Sequence, residues 1–489
     1  MGVTLTQMPN HRLNLDRAIE EDELLGPAVG LAGLPDQLFV CGDYVLEALA
    51  GRGPGSILIA SKVETEVVAR ELACASGLKL LALKNAKGKF YLAGARYKDR
   101  GITVVPLAGS DIKAHLADYG FTVTAMAVDL AVRTPRELVD PFGGLADIEN
   151  GRLRVVSSNA FADDAARLLL AAELAFSYGL QPEKETETLM RASAGSARAL
   201  APSRVWTILA RLFGGGNLSD KARFLARTGV LGAFLPEVEA TYLVPQNYYH
   251  HLGVWEHALE VLRLLEGMLG APASFFSAFG ERISTRMARE VEGGVDRKAF
   301  LGFAALIHDI GKPEATTTEP SGRIRFQGHQ VEGARLAADI AARLGLGRKG
   351  TSQLVGTVAD HMRLGFLLKE GESTETRLQA VRELGGRCIE VVLLSLADRM
   401  ATRGPASTKQ AMELYRRMAT RVLADYFWDI DYPKLVDGRD VMMHAGVVPG
   451  PEVGRALFKA RVAQREAIVS NRNQALEYLA PDFKGKMSM

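Results

Sequence analysis

The chain has 489 residues, with 59 Lys and Arg against 57 Asp and Glu, for a net charge of +2. That is too long for one ordinary core, and near-neutral charge confines any nucleic-acid contact to local patches rather than a global field. Hydrophobic residues make up 47% and charged residues 24%, as in soluble globular proteins. No apolar run approaches the roughly 18–20 residues of a membrane span, and the opening MGVTLTQMPNHRLNLD lacks a signal-peptide core. Cys41, Cys74 and Cys388 are far apart and odd in number, which fits a reducing cytoplasm and offers no disulfide frame.

In chain order, residues 1–25 read as a polar lead-in. From 36 to 148, strand-like runs (Gln37 to Cys41, Ser56 to Ala60, Lys79 to Leu83, Phe90 to Leu92, Ile102 to Pro106) alternate with helix-like runs (Tyr44 to Leu49, Glu64 to Ser76), as in a small α/β unit. The stretch FTVTAMAVDL (121–130) reads as a helix, and DPFGGLADIENGRLRVV (140–156) as a Gly-rich turn with a hairpin. From residue 160 the pattern is helical. FADDAARLLLAAELAFSYGL (161–180) reads as one long helix with Asp163 and Asp164 in its first turn.

Residues 191–227 hold seven Lys and Arg against one acid. These are either solvated helix faces or a strip that follows phosphates, and Arg198, Arg204, Arg211 and Arg223 are the candidate RNA contacts. The tail from 403 is also basic near its end, with seven Lys and Arg, including Lys484 and Lys486, against three acids over 454–486.

The densest chemistry lies between 250 and 402. His257, adjacent His308 and Asp309, His329, His361 and Asp398 each sit on or at the end of an apolar helical run. A buried Asp is costly unless it is paired or binds a cation, and helical bundles build metal sites from side chains on facing helices. One such His is ordinarily a hydrogen-bonded core residue. Six ligand-type residues together point to a divalent metal.

The string HDIGKP, with His257 before it and Asp398 after it, resembles the HD superfamily of metal-dependent phosphohydrolases. The resemblance implies that His257, His308, Asp309 and Asp398 bind one metal. It implies that His329 and His361 extend the site to two in some members. Asp309 and Lys312 would be catalytic, with Lys312 facing a substrate phosphate. Imidazole and carboxylate ligands without thiolate admit Mn, Fe, Ni, Co or Mg.

Over nearly its full length the chain resembles the tRNA nucleotidyltransferases and bacterial poly(A) polymerases. FTVTAMAVDL, DPFGGLADIENGRLRVV, FADDAARLLLAAELAF, LPEVEA, GPEVGRAL and QALEYL carry the likeness. The catalytic parts of that family do not match. Where it has a Gly-Gly turn and then Arg-Asp, this chain reads VCGDYVLEALAG. Where it has two acids one residue apart on the next strand, Ser56 and Leu58 stand, and GITVVPLAG carries no third acid. Asp118, Tyr119 and Gly120 replace Arg-Arg-Asp. Asp43 and Glu47 are the nearest substitutes. Asp164 and Arg167 match the base-reading pair of the neck helix, three residues apart, and would either contact a base or pair with each other.

The resulting expectation is an α+β multidomain fold. It comprises a lead-in (1–25), a nucleotidyltransferase-like head (26–156), a helical neck (157–245), an HD domain (246–402) and a helical tail (403–489). The expected function is an HD phosphohydrolase with one or two divalent metals. It would act on a phosphomonoester or 2′,3′-cyclic phosphate of a nucleotide or RNA 3′ end, with tRNA as a candidate and the head inert in transfer. The alternatives are an active tRNA nucleotidyltransferase or poly(A) polymerase, and a non-catalytic RNA- or nucleotide-binding regulator.

Overall fold

A computed structural model describes residues 11–29, 38–53, 55–82, 89–93, 100–109, 111–131, 136–245, 252–403 and 408–483. The chain forms two compact units, one of residues 1–201 with 224–234 and one of residues 202–223 with 235–489. The fold is α+β: one large sheet lies in the first unit, and helices dominate the rest.

The sheet has seven strands: β1 (Leu38–Cys41), β2 (Ile57–Ser61), β3 (Lys79–Ala82), β4 (Phe90–Ala93), β5 (Gly101–Pro106), β6 (Ala127–Asp129) and β7 (Leu138–Val139). Their spatial order is β3-β4-β5-β2-β1-β6-β7. β1 and β2 are central and read LFVC and ILIAS, near-continuous apolar runs suited to strands covered on both faces. β2 and β5 are parallel and the other pairings antiparallel. The helices Asp43–Leu49 and Thr65–Ser76 follow β1 and β2, and the second ends on Gly77 in the left-handed region.

Three sequence expectations change here. FTVTAMAVDL is not a helix. Thr122–Thr124 form a 3₁₀ turn and Ala127–Asp129 join the sheet as β6. β-branched Thr122, Val123 and Thr124 resist a long helix, and the Thr122 hydroxyl donates to the buried Asp147 carboxylate at 2.6 Å. The 140–156 stretch is not a hairpin. Asp140 accepts the Gly144 and Leu145 amides and starts a helix over Gly144–Glu149.

The long helix at 161–180 is broken. A short turn of helix over Ala160–Asp163 ends at Asp164, which is extended at φ −146°, and a new helix runs Arg167–Tyr178. The Asp164 carboxylate accepts the Ala166 amide at 2.9 Å, a local bond that competes with helix continuation.

The second unit is built on five helices: α1 (Val254–Gly270), α2 (Arg297–Ile307), α3 (His329–Arg343), α4 (Arg348–Asp360) and α5 (Cys388–Ala401). α1 packs on α2 and α5, α2 packs on α4, and α3 packs on α4. Every residue of α2 from Ala299 to Ile307 is buried, so its C-terminal end opens into the core. Asp296 caps its start by accepting the Ala299 amide at 3.0 Å. The tail helices Gly438–Ala445, Pro451–Arg465 and Arg472–Leu479 share their own apolar cluster around Val441, Ala456 and Leu479. Lys484 and Lys486 lie outside the described residues. No helix among the described residues is long and apolar enough to cross a membrane.

Candidate metal centre

The apolar α2 delivers His308 as its C-cap and Asp309 one residue later. Gly311 lets the following turn press against α3, because a Cβ there would overlap the His329 carbonyl oxygen and the Gly333 amide. His329 opens α3, and His361 is the C-cap of α4. His257 lies in the first turns of α1, and Asp398 lies near the end of α5. All six predicted ligands therefore converge.

Asp309 is the hub. Its Oδ2 is 3.2 Å from His308 Nε2 and 3.7 Å from His257 Nε2. Its Oδ1 is 3.3 Å from His329 Nε2 and 3.8 Å from His361 Nε2. His257, His308 and Asp309 form one ligand triad, and Asp309, His329 and His361 form a second. Asp398 stands beside the first triad, its Oδ1 2.9 Å from His257 Nε2.

Three of the rings have fixed tautomers. His308, His329 and His361 each place Nδ1 2.7–2.8 Å from the carbonyl of the residue three before it: Ala305, Phe326 and Val358. A carbonyl only accepts, so each Nδ1 carries the proton and each neutral Nε2 turns a lone pair inward. His308 Nε2 is buried without a hydrogen-bond partner, and the His329 and His361 Nε2 atoms face each other at 3.4 Å. This donor set fits a divalent cation between the rings.

The electrostatics favour neutral rings at His361 and His257. Burial holds the His361 pKa down to about 3 and lowers that of His257. Burial opposes charge on His308 as well, but adjacent Asp309 outweighs it and raises the pKa. Burial alone would raise Asp309, yet His308 and Lys312 hold its carboxyl well below the usual range. Burial would raise Asp398 as well, but His257, through its hydrogen bond and charge, and His308 together hold its carboxyl below the usual range. Lys312 is 5% exposed, and its ammonium lies 2.6 Å from Asp309 Oδ2.

A cavity of about 590 Å³ opens beside the centre, lined by Asp309, Lys312, His361, Lys369, Arg399 and Tyr415 among others. Lys369, Arg399 and Tyr415 were not legible as site residues. They come from separate helices and belong to no motif.

The other predicted contacts are less concentrated. Arg167 donates to the Ala160 carbonyl at 2.8 Å and to the Asp118 carbonyl, while Asp164 turns to the Ala166 amide. The two thus lie on either side of a helix break instead of on one helical face. Arg198, Arg204, Arg211 and Arg223 are exposed, and Arg223 bonds Glu256 through both guanidinium nitrogens. Lys221, counted in the basic strip, is instead buried and donates to the Leu212 carbonyl at 2.9 Å.

Residues 254–403 match the HD domain family. The chain is 30% identical over 404 residues to the A-adding tRNA nucleotidyltransferase of Deinococcus radiodurans, covering 80% of this chain and 84% of that protein. It is 29% identical over 452 residues to the CC-adding tRNA nucleotidyltransferase of Thermus thermophilus, covering 91% and 93%. Its fold is similar to that of a CCA-adding enzyme solved with ATP, with a TM-score of 0.65 at 17% identity over 99% of this chain and 96% of that one. It is also similar to the Thermotoga maritima CCA-adding enzyme solved with tRNA, with a TM-score of 0.62 at 18% identity over 98% and 97%. These relatives overturn the expected phosphohydrolase function. Likeness spanning most of both chains leads to proteins named for adding nucleotides to tRNA, whereas the hydrolase reading rested on one domain's metal motif.

Proposed function

Since the chain belongs to the tRNA nucleotidyltransferase family, we propose that it engages the 3′ end of tRNA, with nucleotide addition as the reaction class its relatives' names support. The observation that carries this is the match over 80% of the chain and 84% of the relative, which includes the head and neck as well as the HD region. The parts we assign are the head (26–156), neck (157–245), HD domain (246–402) and tail (403–489). Arg198, Arg204, Arg211 and Arg223 are exposed, and Asp164 and Arg167 stand near the head–neck junction. The cytoplasm is the compartment this reading implies, and Cys41, Cys74 and Cys388 are free thiols.

Within the same reading, His257, His308, Asp309 and Asp398 hold one divalent metal, and Asp309, His329 and His361 a second. A bound divalent ion supplies Lewis acidity there. The chain's own part is to keep each Nε2 unprotonated and aimed at the Asp309 carboxylate through the Nδ1 bonds.

One observation favours a second reading, binding of the tRNA end without transfer: β1, β2 and β5 carry no carboxylate. The experiment incubates the protein with tRNA transcripts lacking one, two or three terminal nucleotides and labelled ATP or CTP. Incorporation supports addition. A gel shift without incorporation supports binding alone. Neither shift nor incorporation ends the tRNA reading.

A further inference from the structure

One face of the head sheet is made of alternate residues from neighbouring strands. In register, Cys41 lies opposite Leu58, and Leu58 opposite Thr103. Phe39 lies opposite Ala60, and Ala60 opposite Val105. The three positions where the family resemblance expects acids are Ser56, Leu58 and a β5 residue. The register makes Thr103 that β5 residue, directly beside Leu58. Ser56 sits in the bend just before β2, and Leu58 lies on the strand itself. Two hydroxyls and an isobutyl group therefore occupy the place of three carboxylates.

The face is also filled. Phe39, Cys41, Ala60, Val105, Leu116, Ala125 and Ala127 form one buried apolar cluster, with Leu58 and Tyr119 packed against it. The Tyr119 ring covers Gly42, where a Cβ would lie 2.7 Å from its Cε1. The ring is held edge-on to His115, with centroids 5.6 Å apart. His115 is itself fixed by the Ala108 amide, which donates to its Nδ1 at 3.0 Å. Burial pushes the Cys41 thiol up to about 12 and raises the Tyr119 phenol as well, so the face disfavours negative charge.

Neither nearby substitute restores a cation site. The Glu47 carboxylate accepts the Gly55 amide at 2.6 Å. Asp43 is near enough to Tyr119 to add to its phenol shift, but a single carboxylate does not replace the acid set that holds two cations in a nucleotidyl transfer.

We infer that this face of the head holds no divalent metal–nucleoside triphosphate pair, because Leu58, Thr103, Cys41 and Tyr119 line the place such a pair would need without a carboxylate to hold magnesium or a cation to balance phosphate charge. The lining belongs to the head alone. Only the corollary, that the tRNA end is held here without β2 and β5 supplying a metal for addition, rests on the tRNA reading.

Two measurements on the full chain test it. Photolabelling with 8-azido-ATP, with magnesium or with EDTA, followed by peptide mapping, separates the head from the HD centre. The expected result is no magnesium-dependent label on residues 38–130, and such a label would overturn the inference. Melting of Leu58→Asp against Leu58→Met reads the lining directly. In an apolar lining the carboxylate variant melts several degrees below the methionine variant, whereas equal melting would mean an open, solvated cleft and contradict the inference. A protein that fails to bind tRNA but passes both tests would sink the tRNA reading and leave this one standing.

Discussion

The Nε2 atoms of His329 and His361 face each other at 3.4 Å, while the Nδ1 of each ring is held by a backbone carbonyl. Two inward lone pairs repel unless a cation lies between them. Asp309 bridges this pair and the His257–His308 pair. Asp309→Ala therefore removes metal from both triads, and elemental analysis should show at least a tenfold loss of bound divalent ion, on the scale of removing a metal ligand or its support. His361→Ala should reduce binding at its own triad and leave the His257 triad loaded. Equal metal content in wild type and Asp309→Ala would exclude the site.

Stability of the metal-free protein should depend on pH through His361. Burial lowers its folded pKa to about 3, below the unfolded value of about 6.5. The unfolded state thus takes up the proton first, so the stability is fully present above about pH 6.5 and is lost as pH falls toward 3. The slope from this one group approaches 1.4 kcal/mol per pH unit. His308, raised by Asp309, acts in the opposite sense only as pH rises through its own titration, above that window. Urea melts of chelated protein between pH 7 and 4 should show the slope, and His361→Asn should reduce it, leaving the smaller part that His257 contributes in the same sense.

Gly311→Ala should separate packing from ligation. The new methyl meets the His329 carbonyl and the Gly333 amide, both backbone groups that cannot swing aside. A cost of about 1–3 kcal/mol is expected for overpacking. Because α3 carries His329, the same substitution should weaken metal at the second triad more than at the first. Unchanged melting and unchanged metal content would mean that the turn and α3 do not make this close approach.

The exposed arginines make a salt prediction. Replacing Arg204 or Arg211 with Ala should weaken tRNA binding for all tRNA sequences alike. Removing one arginine–phosphate interaction should reduce the slope of log affinity against log salt by about one. A slope unchanged in the Arg204 and Arg211 variants would place the phosphate-binding residues elsewhere.

The cluster of candidate ligands was legible because its signals are local. An apolar run ending in His308, Asp309, Gly311 and Pro313 states both the helix and its stop, and the other ligands sit on helices of the same kind. Their convergence on Asp309 followed from bundle packing. The break at Asp164 was not legible, because a single side-chain bond to the Ala166 amide overrides a good helical pattern. The β6 strand hid in FTVTAMAVDL for a similar reason: its partner is β1, some ninety residues earlier in the chain. Tyr119 over Gly42 needed the fold to bring them together. The function was misread where a complete local motif was weighed above a likeness running through the whole chain. An intact His-Asp set describes one domain's chemistry and leaves the substrate to the rest of the molecule.

We propose that the 3′ end of tRNA is what this chain engages. Nuclease footprinting of an end-labelled tRNA, run beside an RNA hairpin of equal length, tests it most directly. Protection of the acceptor end, with the hairpin bound at least about tenfold more weakly at the same salt, is the predicted result. Equal binding of both RNAs with no protection at the acceptor end would contradict it.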